Sequence, residues 1–318
     1  MRSTGRSTFS RGAVKALSAA ALAGVLFATA ACSSDSGNPS GGSSPSGSSD
    51  DLSYSTPKVD KKLRAMLPDS LKDATTITAG SSLATPPINF TDPTSGDPTG
   101  YFVDLANAAG AKLGLEVQWN KQPYPGLIPA LQTKKIQLFS PGSPSAETLK
   151  VIDVAAITQR SSALLVPKGN PKKIEKPTDA CGLNISYTAG SVLDEQIAEL
   201  IAKDCTDAGK TAPKIENYPS AADAQTAVRS GRSDGMVEPD VVAIYTAKTT
   251  DLYYAALLGE FDSDEQGLGF LKEDQQLASA FVAAVKSLQK DGIYEKILKK
   301  YGLEKVASID DPKLITGE

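Results

Sequence analysis

Histidine is absent from all 318 residues. Without an imidazole there is no Ser–His or Cys–His nucleophile, no histidine general base and no zinc site with imidazole ligands. Three cysteines are too few for a disulfide-dense scaffold. Basic residues do not outnumber acidic ones, 33 against 37, so there is no excess positive charge to neutralise phosphates and no nucleic-acid partner is expected. Long apolar runs are scarce: one stretch, Ala16 to Ala31, goes sixteen residues without a charge, and none of about 20 follows it. What remains is ordinary for a soluble globular chain, 40% hydrophobic and 22% charged. The length allows two domains with a sizeable core.

The N-terminus carries Arg2, Arg6, Arg11 and Lys15 ahead of the apolar run. That run is short for a membrane span and the right size for the core of a secretory signal. It ends in Thr29-Ala30-Ala31-Cys32. The pattern resembles a bacterial lipobox, with Thr29 where Leu is commonest, and implies that Cys32 becomes the lipidated first residue of the mature chain. A plain secretory signal with an unrelated Cys32 is the alternative. No twin-arginine pair is present, which points to the general export route. Loss of residues 1–31 takes the formal charge from −4 to −8.

Residues 33–51 hold nine Ser, four Gly, two Pro, three Asp and one Asn, and no apolar side chain. Such a segment cannot offset its ordering entropy by burial. It reads as part of a flexible tether over 32–56, with a reach of roughly 25 Å for about 20 residues. An exported chain keeps disulfides, so Cys181 and Cys205 are expected to pair, two buried free thiols being the alternative. Cys181 is placed before a strand and Cys205 after a helix.

From residue 57 short β-like runs alternate with helical periods. Phe102, Leu105, Ala106, Ala109 and Leu113 form one helix face that Gly114 ends. Strands are expected at 75–79, 115–119, 136–139, 163–166, 183–187, 214–218, 235–237 and 255–258. Further helix faces run through Leu193, Ile197, Leu200 and Ile201, through Leu277, Phe281, Ala284, Val285 and Leu288, and through Tyr294, Ile297, Leu298 and Tyr301. The alternation predicts an α/β fold with mixed, mostly parallel sheets.

Several motifs then carry a family resemblance: Pro86-Pro87-Ile88-Asn89-Phe90, Gly100-Tyr101-Phe102-Val103-Asp104-Leu105, Tyr124-Pro125-Gly126-Leu127-Ile128-Pro129-Ala130-Leu131-Gln132, Ala189-Gly190-Ser191, Gly231-Arg232-Ser233-Asp234-Gly235 and Asp291-Gly292-Ile293-Tyr294. In this order they resemble the extracellular solute-binding proteins of polar amino-acid ABC importers, solute-binding family 3, over residues 75–302. The resemblance implies a two-lobe, Venus-flytrap binding fold of the second periplasmic-binding-protein type. Lobe 1 would comprise 57–160 and 267–318, lobe 2 161–266, with crossings near 158–162 and 264–266. It implies a monomeric, lipid-anchored protein outside the cytoplasm that delivers an amino acid or related small polar or amine solute to an ABC permease, without cofactor, metal or covalent chemistry.

The same resemblance names cleft positions. Ser82 and Thr85 follow the first strand, where the family has an acid or hydroxyl and then an aromatic; Thr85 removes that stacking wall. Tyr124 keeps the next aromatic, with an ordinary half-buried tyrosine as the alternative. Gly142, Ser143 and Ser145 lie in the loop where the family places hydroxyls and an Arg that clamps the ligand carboxylate. Allowing one gap, Thr148 stands at the Arg position, and Lys150 is the nearest cation. Ser191 and Val192 open a helix whose free N–H groups face the cleft, in a cap role, a binding role or both. Where the family has an acid for the ligand ammonium this chain has Pro239, flanked by Glu238 and Asp240; Asp240 is equally suited to cap the following helix. A lost clamp beside two acids favours an amine-bearing or neutral polar ligand, unless Arg160 or Lys150 compensates. An enzyme on the same fold, of dehydratase type with Glu238 as a lone acid, and a ligand-sensing module are the other readings.

Overall fold

The computed structural model describes residues 56–259 and 263–317. The signal, Cys32 and the tether before Thr56 lie outside the described residues. A one-turn helix α1 (Lys61–Arg64) is capped by Asp60, whose carboxylate accepts from the Lys62 N–H at 2.8 Å. The first lobe continues through β1 (Thr76–Ser81), β2 (Ala84–Thr85), β3 (Asn89–Thr91), β4 (Pro98–Thr99), α2 (Tyr101–Leu113), β5 (Glu116–Lys121), α3 (Leu127–Gln132), β6 (Leu138–Gly142) and β7 (Ile152–Arg160). The second holds β8 (Ser162–Pro167), β9 (Asn184–Thr188), α4 (Val192–Asp207), β10 (Lys214–Tyr218), α5 (Ala221–Arg229), β11 (Gly235–Pro239), α6 (Asp240–Thr250) and β12 (Tyr253–Leu257). The chain returns through β13 (Asp264–Leu271), α7 (Gln275–Lys290), α8 (Ile293–Tyr301) and β14 (Lys313–Ile315).

Each lobe is built on one sheet, in the orders β14-β7-β13-β6-β1-β5 and β10-β9-β11-β8-β12, with a small β2-β3-β4 meander on the first. The two-lobe α/β fold is as expected, but the sheets are less parallel than the alternation implied. Only β1–β5, β1–β6, β9–β10 and β9–β11 pair in parallel. The strands beside the crossings pair antiparallel because the chain leaves lobe 1 along β7 and comes back along β13. The outward crossing is Ser161 alone. The return lies before Asp264 rather than at 264–266, since Asp264 already pairs with Arg160.

The lobe 1 core forms where one face of α2 meets α7. Phe102, Leu105, Ala109 and Leu113 are fully buried with Leu277, Phe281 and Val285. Each large side chain contributes about 1.5–3 kcal/mol on leaving water. Gly114 ends α2 in the left-handed region at φ 73, as its sequence position implied. β13 runs in the middle of the sheet because its glycines let backbones close in: a Cβ on Gly267 would sit 2.0 Å from the Ala155 carbonyl oxygen. β7 and β13 were not among the expected strands. Residues 152–158 are all buried, so the run shows no alternation to read.

In lobe 2, Ile197, Ala198 and Ile201 of α4 pack with Leu164, Val166, Ile185 and Val237 of the sheet. Helix α6 does something different. It starts at the crossing and lays Val241 into the core of lobe 1. Its Tyr245 ring lies 6.2 Å from Phe90 and 6.5 Å from Tyr301. A lobe 2 helix thus touches lobe 1 beside the hinge.

Cys181 and Cys205 form a disulfide, 5.5 Å between Cα atoms. Cys205 sits within the last turns of α4 rather than after it, so the bridge fixes the helix end remote from the hinge. Closing a loop of this size contributes about 3 kcal/mol. Replacing both cysteines by serine is expected to lower the unfolding midpoint by roughly 6–10 °C, measured by calorimetry on the oxidised parent and the variant; an unchanged midpoint contradicts this.

Candidate functional site

The cleft is lined by carboxyl ends of strands and the helix starts that follow them, the usual location of ligands in open α/β sheets. β7 brings Arg160 to its last position before the crossing. β9 leads into α4, with Ser191 at its cap and Asp194 in its first turn. β11 carries Glu238 and passes through Pro239 into Asp240, the first residue of α6. From lobe 1 a short 3-10 turn at Tyr124–Gly126 presents Tyr124.

Three carboxyls of lobe 2 are nearly inaccessible: Glu238 at 3%, Asp240 at 3% and Asp194 at 6%. Burial pushes Glu238 up to about 8, and the charge of Asp194 adds to the rise. Its Oε1 is buried without a hydrogen-bond partner. Burial pushes Asp240 up to about 6, opposed by N–H groups of Ser161 and Val241 and by the charge of Arg160. Asp194 is also raised by burial, opposed by the Ser191 hydroxyl and again by Arg160.

Arg160 acts on both aspartates through charge alone, without a hydrogen bond to either. Its charge also reaches the phenols of Tyr101 and Tyr124. Its Nε is buried and unpartnered. A guanidinium from lobe 1 therefore acts on two aspartates of lobe 2 without a direct hydrogen bond to either, and Glu238 is coupled to this group through Asp194. Such groups carry a desolvation cost that an inserted solute of matching charge offsets.

The structure treats the sequence-derived positions unequally. Tyr124 is 49% exposed, its ring edge-on to Phe139 at 6.3 Å, and its hydroxyl is raised by buried surroundings with Arg160 opposing. Ser191 occupies the cap of α4, yet its hydroxyl engages Asp194 instead of capping a backbone N–H. Val192 begins that helix. Asp240 is not the cap, which is Pro239: as the first residue of α6 it accepts the Val241 N–H on its Oδ1 at 2.7 Å, and its own N–H donates to the Ser161 carbonyl at 3.1 Å. It faces Arg160 at the same time. Ser82 and Ser143 are half-buried, and Thr85 is exposed on β2. Gly142 is in the sheet, where a Cβ would meet the Gly269 nitrogen at 3.0 Å, so close packing on β13 accounts for it. The Ser145 hydroxyl donates to Thr148 Oγ1 at 2.7 Å and accepts from the Thr148 N–H at 3.2 Å. This pair forms its own turn, and Lys150 is exposed beside it.

Asp194 was missed because its spacing from Ser191 reads as a helix-cap signal. Arg160 entered only as a fallback, and Tyr101 only as part of a motif. Among the described residues no group of histidine, cysteine or acidic side chains is placed to hold a metal ion, and no helix is long and apolar enough to cross a membrane.

Two α/β lobes hinged over a cleft of opposed charges define a ligand-capturing binding protein. Residues 77–304 match the bacterial extracellular solute-binding proteins, family 3, and the chain belongs to that family. It is 24% identical to the arginine-binding protein ArgT of Corynebacterium glutamicum, over 76% of this chain and 79% of that one. It is 25% identical to the lysine/arginine/ornithine-binding periplasmic protein of Escherichia coli, over 71% and 87%. Two solved structures of one ancestral protein are also similar. One, described as a cationic amino acid solute-binding protein, has 28% identity and a TM-score of 0.63, covering 73% of this chain and 98% of its own. The other, described as an amino acid-binding precursor of cyclohexadienyl dehydratase, has 27% identity and a TM-score of 0.55, covering 73% and 97%.

Glu238 keeps its proton to about 8 in the fold, against an ordinary value of 4.5. The folded state therefore binds more protons than the unfolded one across that window, and stability falls as pH rises through it. Glu238→Gln is expected to flatten this slope between pH 5 and 8, whatever the amide does to stability overall. Denaturant melts of both proteins across that range check it; an unchanged slope contradicts it.

Proposed function

We propose that this chain is the capture component of an ABC importer, closing on a polar amino acid with a cationic side chain and delivering it to a membrane permease. The observation that carries the reading is the unpartnered, buried Nε of Arg160, whose charge reaches Asp194 and Asp240 of the other lobe without a hydrogen bond to either, with Glu238 coupled to Asp194. An α-amino acid offers a carboxylate to one side and an ammonium to the other. A second cation on its side chain matches the excess of acids. The relatives named as binding arginine, and lysine, arginine and ornithine, support the same class. The ligand stabilises closure through its greater affinity for the closed state. The charged N-region, the apolar run and Cys32 support export and lipid anchoring outside the cytoplasm, and a monomer suffices for this work.

This reading departs from the expectation of an amine-bearing or neutral polar ligand, since Arg160 offers a cation where Thr148 does not. A second reading, an enzyme on this fold, is favoured by Glu238, a buried acid protonated at neutral pH beside Asp194. It predicts turnover, whereas a binding protein returns its solute unchanged.

A ligand at about 100 times its dissociation constant adds roughly 2.7 kcal/mol to the state it binds. For protein from residue 52 onward, stripped by unfolding and refolding, L-arginine, L-lysine or L-ornithine is expected to raise the midpoint by roughly 5–10 °C. Affinity should rise with pH from about 6 to about 8, because a bound cation favours the ionised forms of Asp240 and Glu238. A shift confined to neutral solutes, or affinity that falls over that range, contradicts the reading.

A further inference from the structure

The loop after β6, where the family resemblance puts a carboxylate-clamping arginine, holds no cation in position. Thr148 and Ser145 engage each other in a turn, and Lys150 is exposed. A buried carboxylate nevertheless needs donors. The described cleft offers an alternative twelve residues further on. Arg160 ends β7, one residue before the crossing, and is half-buried. Its Nε is shielded from water without a partner. Its charge reaches groups on four elements: Tyr101 on α2, Tyr124 before α3, Asp194 on α4 and Asp240 on α6. None of the acids among them takes a hydrogen bond from it.

We infer that Arg160 has replaced the family's loop arginine as the anchor for the solute's α-carboxylate. This rests on the reading of the chain as an amino-acid binder. A guanidinium presents parallel N–H donors to a carboxylate, and a buried Nε left unpaired is the kind of donor such a ligand completes. The displacement moves the anchor from a loop of one lobe to the strand that crosses between lobes. The carboxylate then lies beside the Ser161 hinge, with the Tyr124 ring on the lobe 1 side and Asp194 and Asp240 on the other. Arg160 thereby sets specificity for acids over amides and amines, and position 148 plays no part in it.

The test uses the protein from residue 52 onward. A thermal-shift panel of the twenty proteinogenic α-amino acids with L-ornithine selects the one with the largest shift. That amino acid and its α-carboxamide are then titrated calorimetrically into the parent and into Arg160→Gln, Arg160→Lys and Thr148→Ala. The parent should prefer the acid over the amide on the order of 10- to 100-fold. R160Q should lose that preference, R160K should retain part of it, and T148A should match the parent. A parent ratio near one overturns the inference, and this holds even where R160Q does not fold. So does an R160Q protein with a lowered unfolding midpoint and an unchanged ratio, which makes Arg160 a structural partner of Asp240, or a T148A protein that loses the ratio. If no amino acid shifts the midpoint, the amino-acid reading itself fails and this inference falls with it.

Discussion

One arginine acts on two aspartates of the opposite lobe and pairs directly with neither. Had Arg160 formed a direct bidentate pair with Asp240, the hinge would be locked by its own side chains and nothing would be left for a solute to do. Instead Asp240 accepts from backbone N–H groups at the start of α6, Asp194 holds the Ser191 hydroxyl, and Glu238 keeps a proton. The charges are partly desolvated and unpaired. A molecule carrying both signs of charge lowers the free energy of the closed arrangement, and a molecule carrying neither does not.

The rest of the architecture keeps these groups in place. β13 is squeezed between β6 and β7 by glycines that admit no side chain, so the strand pair carrying the hinge is rigid up to Arg160 and Asp264. The Tyr294 hydroxyl donates to the Ile157 carbonyl at 2.8 Å and ties α8 to the same strand. α6 begins at Asp240 and rests Val241 and Tyr245 on lobe 1, which limits how far its first turn can drift from Arg160. The disulfide holds the far end of α4, leaving the end with Asp194 to respond to a ligand.

Much of this was legible in the residues. β10 falls on 214–218 as expected, and Gly114 stops α2 where the helix face ran out. β7 was hidden because both its faces are buried, and β13 because its glycines resemble turn residues. In the cleft, Tyr124, Glu238 and Asp240 were found through the family pattern, since they keep or neighbour its positions. Asp194 was hidden behind a cap spacing that serves helices without any ligand. Arg160 lies outside the pattern altogether. Only the assembled fold brings its charge within reach of the carboxyls of α4 and α6, and no local signal in the sequence encodes that approach.

The most direct measurement is a crystal structure of the protein grown with L-arginine at pH 8. The account places the ligand carboxylate within hydrogen-bond distance of Arg160 and its ammonium against Asp194 or Asp240, with the lobes closed over it. A structure in which Arg160 pairs directly with Asp240 while the ligand sits elsewhere, or in which the cleft binds no amino acid, contradicts it.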